Sequence, residues 1–373
     1  MSTPVSCLFA SAALVAAIAL PSDAAAQDIL IGFQLPLTGS QSQYGETFRN
    51  SAQMQLDKLN AAGGVGGRKV QIVYEDSKSD PKEAVNIARK FVDDKRIVAV
   101  LGDFASGPSM AAGEVYGKEG VAQLSPTSSH PDFLKISNWQ FRNVSTMVQE
   151  GPFIAKWLGE TGSKSLAIIA VQNDWGLSAT REVQKSFEAA GGKVTAMEAF
   201  NPGTRDFKAI LTKVMQGKPE AIYLAVFYEE GALLLQQARQ LNIQSKLFST
   251  ASLHHQKTLE LAGPAAEGLF LVTVFMVDHP SKHVQQYVAE YRKRYSSDPT
   301  MFAAQAYDAV GIVIEALKRT GPEMTRPKVR DALADTSGYP GVTGTTTFDK
   351  ATREPDKQLS RLHVENGKFV LLK

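Results

Sequence analysis

Two stretches place hydroxyls and unbonded backbone amides together. One is Gly102-Asp103-Phe104-Ala105-Ser106-Gly107-Pro108, after the apolar run Ile97–Leu101; the other is Ser125-Pro126-Thr127-Ser128-Ser129-His130-Pro131, after Val121–Leu124. Each lies beyond the carboxyl end of a predicted strand, where open α/β sheets bind their ligands. Gly107 and Pro108 mark a helix start, leaving Ser106 and free N–H groups at a positive helix end. Such a place suits a carboxylate or another anion. Turn and capping chemistry explains any single serine there. Two such loops on neighbouring strands point to a binding cleft.

Catalytic patterns are missing around these loops. The chain has no G-x-S-x-G elbow, no Walker A loop, no H-E-x-x-H and no cysteine-based metal pattern. The Gly63–Gly67 cluster GGVGG follows a helix and precedes a strand, the reverse of a dinucleotide fingerprint. His279 and His283 stand four apart, but Pro280 starts a helix between them, so solvent-facing histidines are the simpler reading. The expectation is a binding protein with no cofactor and no metal, not an enzyme.

The elements that must hold the loops alternate along the whole chain. Strand-like runs are Ile29–Phe33, Val70–Tyr74, Ile97–Leu101, Leu166–Val171, Ala221–Phe227 and Gly268–Val274. Helical patterns between them include Tyr44–Asn60, with Phe48, Ala52, Leu56 and Leu59 at helical spacing, and also Glu83–Asp93, Leu177–Ala190, Asp206–Gln216 and Glu230–Leu241. Repeated β-α-β units with short connections predict mostly parallel sheets covered by helices. Asp80-Pro81-Lys82-Glu83 reads as a capping box. Ala61-Ala62-Gly63-Gly64 and Ala189-Ala190-Gly191-Gly192 read as glycine-terminated helix ends. That echo suggests two lobes of similar build, about what nearly 350 residues after a leader would form.

The leader is read from Leu8–Ala10 and Ala12–Leu20, an apolar run ending in Ala24-Ala25-Ala26. This is the pattern of a secretory signal peptide over residues 1–26, cleaved near Ala26, although no Lys or Arg precedes the run. The single cysteine, Cys7, lies inside it, so the exported chain would rely on its core without disulfides. The full chain carries 40 Lys+Arg and 38 Asp+Glu. Loss of Asp23 with the leader leaves 40 against 37, a balance of +3. Near-neutrality argues against a nucleic-acid partner.

The wording of Ile29–Val92, ILIGFQLPLTGSQSQYGETFRNSAQMQLDKLNAAGGVGGRKVQIVYEDSKSDPKEAVNIARKFV, resembles the first lobe of a known family. These are the periplasmic solute-binding proteins of branched-chain amino acid type ABC importers, similar to leucine/isoleucine/valine-binding protein. The resemblance runs from Asp28 to the closing strand pair around Leu362–Leu371. It implies an α/β, type I periplasmic binding protein fold: two doubly wound parallel-sheet lobes joined by three crossovers, with a ligand cleft between. The crossovers are expected near Arg142–Thr146, Leu271–Phe275 and Thr345–Phe348. Lobe 1 would comprise 27–144 and 276–346, and lobe 2 would comprise 145–275 and 347–373. It further implies a periplasmic monomer whose partners are a small-molecule ligand and the membrane permease subunits of an importer. A sensor handing ligand to a signalling partner is the rival use of this fold.

Matched to the family, Ser106 and Ser129 grip the ligand's carboxylate and Ser128 contributes backbone. Tyr44 in SQYG, Trp175 in QNDWG, and Phe227 and Tyr228 in AVFYEEG match aromatic lining positions. Amino-acid-binding members carry a glutamate where an ungapped match puts Ala251. A buried ammonium without a partner would cost several kcal/mol. The implied ligand keeps a carboxylate and lacks the α-ammonium: an aromatic or branched organic acid, with His254 or His255 meeting a polar ring substituent. Branched-chain or aromatic amino acid binding through Glu229 or Glu230, and an amide or urea ligand, are the alternatives.

Overall fold

The computed structural model describes residues 27–372. The predicted signal peptide and Cys7 lie outside the described residues. A first sheet holds β1 (Ile29–Leu35), β2 (Val70–Asp76), β3 (Ile97–Leu101), β4 (Ala122–Ser125) and β5 (Gln140–Arg142). All pair in parallel, in the order β2-β1-β3-β4-β5. The intervening helices are α1 (Ser42–Ala61), α2 (Pro81–Asp93) and α3 (Ser106–Glu119). β1, β3 and β4 are buried throughout their length, as parallel strands covered on both faces must be.

The chain then passes to a second body: α4 (Met147–Glu160), β6 (Ser165–Val171), α5 (Asp174–Ala189), β7 (Lys193–Phe200), α6 (Lys208–Met215), β8 (Ala221–Ala225), α7 (Tyr228–Gln240), β9 (Lys246–Ser249), α8 (Gln256–Ala262) and β10 (Phe270–Thr273). It returns as α9 (Lys282–Tyr295), α10 (Met301–Thr320) and α11 (Arg326–Ala334), which pack on the first body; α10 lies along α1. A short ribbon, β11 (Tyr339–Gly341) and β12 (Gly344–Thr346), precedes a last passage to β13 (Ser360–Glu365) and β14 (Lys368–Leu372). The second sheet runs β14-β13-β10-β9-β8-β6-β7; β13 pairs antiparallel with both β10 and β14, and the remaining strands pair in parallel. Three passages therefore connect two sheets, and the bodies built on them are called the first and second lobes below.

Local chemistry sets the element ends. Asp80 accepts from the Lys82 and Glu83 N–H groups and so caps α2, with Pro81 in its first turn. Thr146 and Gln149 form a full capping box that starts α4 directly after the first passage. Phe48, Ala52, Leu56 and Leu59 all face the core, as their spacing predicts. α7 starts at Tyr228, two residues earlier than its apolar pattern suggests, which carries Tyr228 off the preceding strand.

The first and third passages are tied together by buried polar groups. Asn143 donates to the Gln305 carbonyl and accepts from Thr346 Oγ1. Lys357 Nζ donates to Thr343 Oγ1 and Thr346 Oγ1, while the Asp308 carboxylate accepts from the Val342 and Thr343 N–H groups and the Thr343 hydroxyl. Burial raises Asp308 above the usual carboxylate range and lowers Lys357 to about 8.

Candidate functional site

The β3 end and the β4 end form the floor of the cleft between the lobes. Gly102 ends β3 at φ +101°, where an added Cβ would stand 1.9 Å from the Gln34 carbonyl. Asp103 beneath it is buried and accepts from Gln34 Nε2 and the Phe104 N–H; burial lifts it to about 6 against those bonds. α3 then starts at Ser106, and Ala105 supplies no side-chain cap. Among the described residues, the Ser106 and Gly107 N–H groups, the Ser106 hydroxyl, and the Ser129 hydroxyl and N–H take no hydrogen bond. These donors are free for an anion at a helix end of the right polarity.

The neighbouring loop is held from behind. Ser125 Oγ accepts from the Thr127 and Ser128 N–H groups, and Thr127 Oγ1 donates to the Phe104 carbonyl. Arg142 is fully buried. Its Nη1 donates to the carbonyls of Ser128 and His130, and its Nε meets Glu354 at 3.1 Å. Burial pushes this guanidinium down to about 10, against the pull of Glu354. Arg142 thus positions Ser129 without facing the cleft.

A cavity of about 40 Å³ lies between the lobes, bordered by Ser106, Thr127 and Ser129 from the first lobe. Trp175, Phe227, Thr250, Ala251 and Ser252 border it from the second, and Phe104, Met301 and Phe302 complete an aromatic-rich wall. Trp175 stacks on Phe227 with centroids 5.0 Å apart and planes at 25°. Such a lining, largely apolar with few polar groups, is usual for small-molecule sites. Among the described residues, no lining side chain is basic and Glu150 is the one acid.

The sequence candidates divide on this geometry. Ser106, Ser129, Trp175, Phe227 and Ala251 are brought together around the cavity. Ser128 is not: its N–H and carbonyl are taken by Ser125 and Arg142, so it is framework. Tyr44 is fully buried beside the cavity and stacks on Phe104 at 4.2 Å. Its hydroxyl donates to the Ser252 carbonyl at 2.8 Å and accepts from the Tyr228 N–H at 3.0 Å. It clasps the lobes together and does not line the cavity. The Tyr228 ring turns away to stack on His255 and bond Glu229, because helix α7 already begins there.

His254 also departs from expectation. Its ring packs edge-on against Phe369, Nδ1 meets Thr273 Oγ1 at 3.2 Å, and it borders a separate groove with Met276 and Thr300. Burial lowers it to about 3 and His255 to about 4, so both are neutral. Glu229 and Glu230, the expected partners for an ammonium, border a groove beside Gly203 and Arg205 on the second lobe.

Sequence reasoning missed Glu150. It lies in the first turn of α4, buried at 6% exposure, on the stripe that includes Met147, Ile154 and Leu158. An acid at a core position of an amphipathic helix was the available signal. Oε1 accepts from Ser145 Oγ at 2.7 Å, and Oε2 has no hydrogen-bond partner among the described residues. Burial raises this carboxyl to about 7, against the Ser145 bond.

Comparison with known proteins agrees with this architecture. The family model for periplasmic binding protein matches residues 28–368. The leucine-, isoleucine-, valine-, threonine-, and alanine-binding protein of Pseudomonas aeruginosa is 31% identical over 332 residues, 87% of each chain. A protein from Rhodospirillum rubrum, provisionally assigned to a branched-chain amino acid ABC transporter, is 48% identical with TM-score 0.70, covering 92% of this chain and all of that one. A solute-binding protein from R. palustris, solved with benzoate, is 21% identical with TM-score 0.86 over 92% of this chain and 95% of its own; at that identity the likeness carries the fold alone. Two sheets joined by three passages, a cleft at their strand ends and a family match over nearly the whole described chain lead to one conclusion. The chain belongs to the periplasmic binding proteins, of the branched-chain amino acid type and type I fold, that serve ABC transporters.

Proposed function

We propose that this protein is a periplasmic receptor for a small carboxylate-bearing solute without an α-ammonium, of aromatic or branched skeleton, which it delivers to permease subunits. The observation that carries this reading is Ala251. It borders the cavity, and an ungapped match to the resembled family puts it where amino-acid-binding members carry their ammonium-binding glutamate. The unpaired donors of Ser106 and Ser129 suit the carboxylate, and the Trp175–Phe227 stack suits a flat or branched apolar body. Ligand held by Ser106 and Ser129 on the first lobe draws Trp175 and Phe227 over it, and the Tyr44 clasp secures the closed form. The rotation is taken up at the three passages.

A second reading is favoured by Glu150. Ionised, it would hold the ammonium of an amino acid, and the names of the 31% and 48% identical relatives point the same way. A thermal-shift screen separates the two. Protein unfolded and refolded to strip ligand is offered leucine, phenylalanine, and the same skeletons without the amine, 4-methylpentanoate and 3-phenylpropanoate, with benzoate alongside. Ligand at about 100 times Kd adds roughly 2.7 kcal/mol of stability. Stabilisation by the amine-free acids supports the first reading; stabilisation by the amino acids alone supports the second.

A further inference from the structure

Glu150 raises a charge problem that the rest of the cleft does not solve. A carboxylate ligand on Ser106 and Ser129 shares a small cavity whose described lining contains no Lys, Arg or His. An ionised Glu150 would place a second negative charge against the same apolar walls, where repulsion is poorly screened. Among the described residues, no basic side chain bonds to Glu150 to offset it. Tyr223, on β8, is the titratable group that responds to the charge of Glu150, and it is a neutral phenol. α5, packed along α4, carries Asp174, Arg181, Glu182, Lys185 and Glu188. Arg142 and His130 stand behind Ser129, with Arg142 committed to Glu354 and to carbonyls. Among the described residues, none of these bonds to Glu150, whose one recorded partner is the Ser145 hydroxyl. The positive end of α4 favours ionisation, since Glu150 sits in the first turn, yet burial outweighs it.

We propose that Glu150 is the polar specificity determinant of the cleft, and that an amine-free acid binds as its anion together with one proton taken from solvent onto the Glu150 carboxyl. The neutral carboxyl then has an O–H to donate, and Oε2, unpartnered in a nine-tenths buried side chain bordering the cavity, is the atom placed to use it. A zwitterionic amino acid brings its own cation and would need Glu150 ionised, so the protonated carboxyl selects against it. This rests on the reading of the ligand as an amine-free acid.

Titration calorimetry on the full exported chain tests it, with 3-phenylpropanoate, 4-methylpentanoate, benzoate, leucine and phenylalanine as probes. Runs in two buffers of different ionisation enthalpy count protons taken up on binding. The expected result is uptake approaching one proton near pH 8, with affinity for the amine-free acid at least tenfold weaker at pH 8.5 than at pH 6.5. Glu150→Gln should abolish both the uptake and the pH slope. The wild-type proton count stands even if that variant folds poorly. Amine-free acids that bind without proton uptake, or with the same slope in Glu150→Gln, overturn the proton proposal and leave the ligand reading intact. Binding of leucine or phenylalanine alone, lost in Glu150→Gln, overturns both, as does binding of none of the probes.

Discussion

The Tyr44 hydroxyl, on α1 of the first lobe, donates to the Ser252 carbonyl of the second lobe at 2.8 Å. The same oxygen accepts the Tyr228 N–H, so one phenol satisfies two backbone groups across the cleft. With its ring flat against Phe104, Tyr44 couples the aromatic wall of the cavity to closure of the lobes.

Tyr44→Phe keeps the stacking and removes the clasp. In the closed form the Ser252 carbonyl and the Tyr228 N–H would then lack partners, at a cost of about 1–2 kcal/mol. Calorimetry should show Kd raised roughly five- to thirtyfold. X-ray scattering should show a smaller compaction on ligand addition.

The two serines carry a charged acceptor in the proposed complex. Ser106→Ala or Ser129→Ala should each weaken binding by about 1.5–3 kcal/mol, the usual loss for a hydrogen bond to a charged group. An uncharged amide or urea ligand would lose far less, so the same titration discriminates ligand charge.

Ala251→Glu restores an acid at the cleft position where the family resemblance calls for one. It also places a fixed carboxylate in a cavity with no basic lining among the described residues. Affinity for 3-phenylpropanoate should fall at least about a hundredfold, as like charges in contact cost several kcal/mol. Measurable binding of phenylalanine should appear in the same variant.

Burial of Glu150 also shapes stability. Its folded-state carboxyl titrates at about 7, above its ordinary value of 4.5. Between those values the folded protein keeps a proton that the unfolded chain has lost, so stability declines as pH rises from 4.5 to 7. It levels off above, after a loss of about 3 kcal/mol. Urea unfolding of ligand-free protein should show this decline, and Glu150→Gln should flatten it.

Much of the architecture was legible because period and capping agree. The Phe48–Leu59 spacing, the Asp80-Pro81 cap and the all-apolar strands each specify a local structure that packing then keeps. That Ser106, Ser129, Trp175 and Phe227 would lie near one another could be read in the sequence, because loops at strand ends share one edge of a sheet, and all four border the same cavity. Tyr44, Tyr228 and His254 were placed wrongly for a different reason. Whether an aromatic near a strand end lines a cavity or supports its wall depends on a rotation of one residue along a helix. Tyr228 sits on the first turn of α7, which no spacing in the sequence marks. Glu150 escaped because long-range packing, not its neighbours in sequence, turns that face of α4 into the cleft.

The most direct test compares leucine with 4-methylpentanoate, two molecules that differ only by the α-amine, by calorimetry on refolded protein at pH 6.5. The Ala251 position predicts that 4-methylpentanoate binds at least tenfold more tightly than leucine, and that 3-phenylpropanoate likewise exceeds phenylalanine. Tighter binding of leucine and phenylalanine would contradict it, and would assign Glu150 to an ammonium.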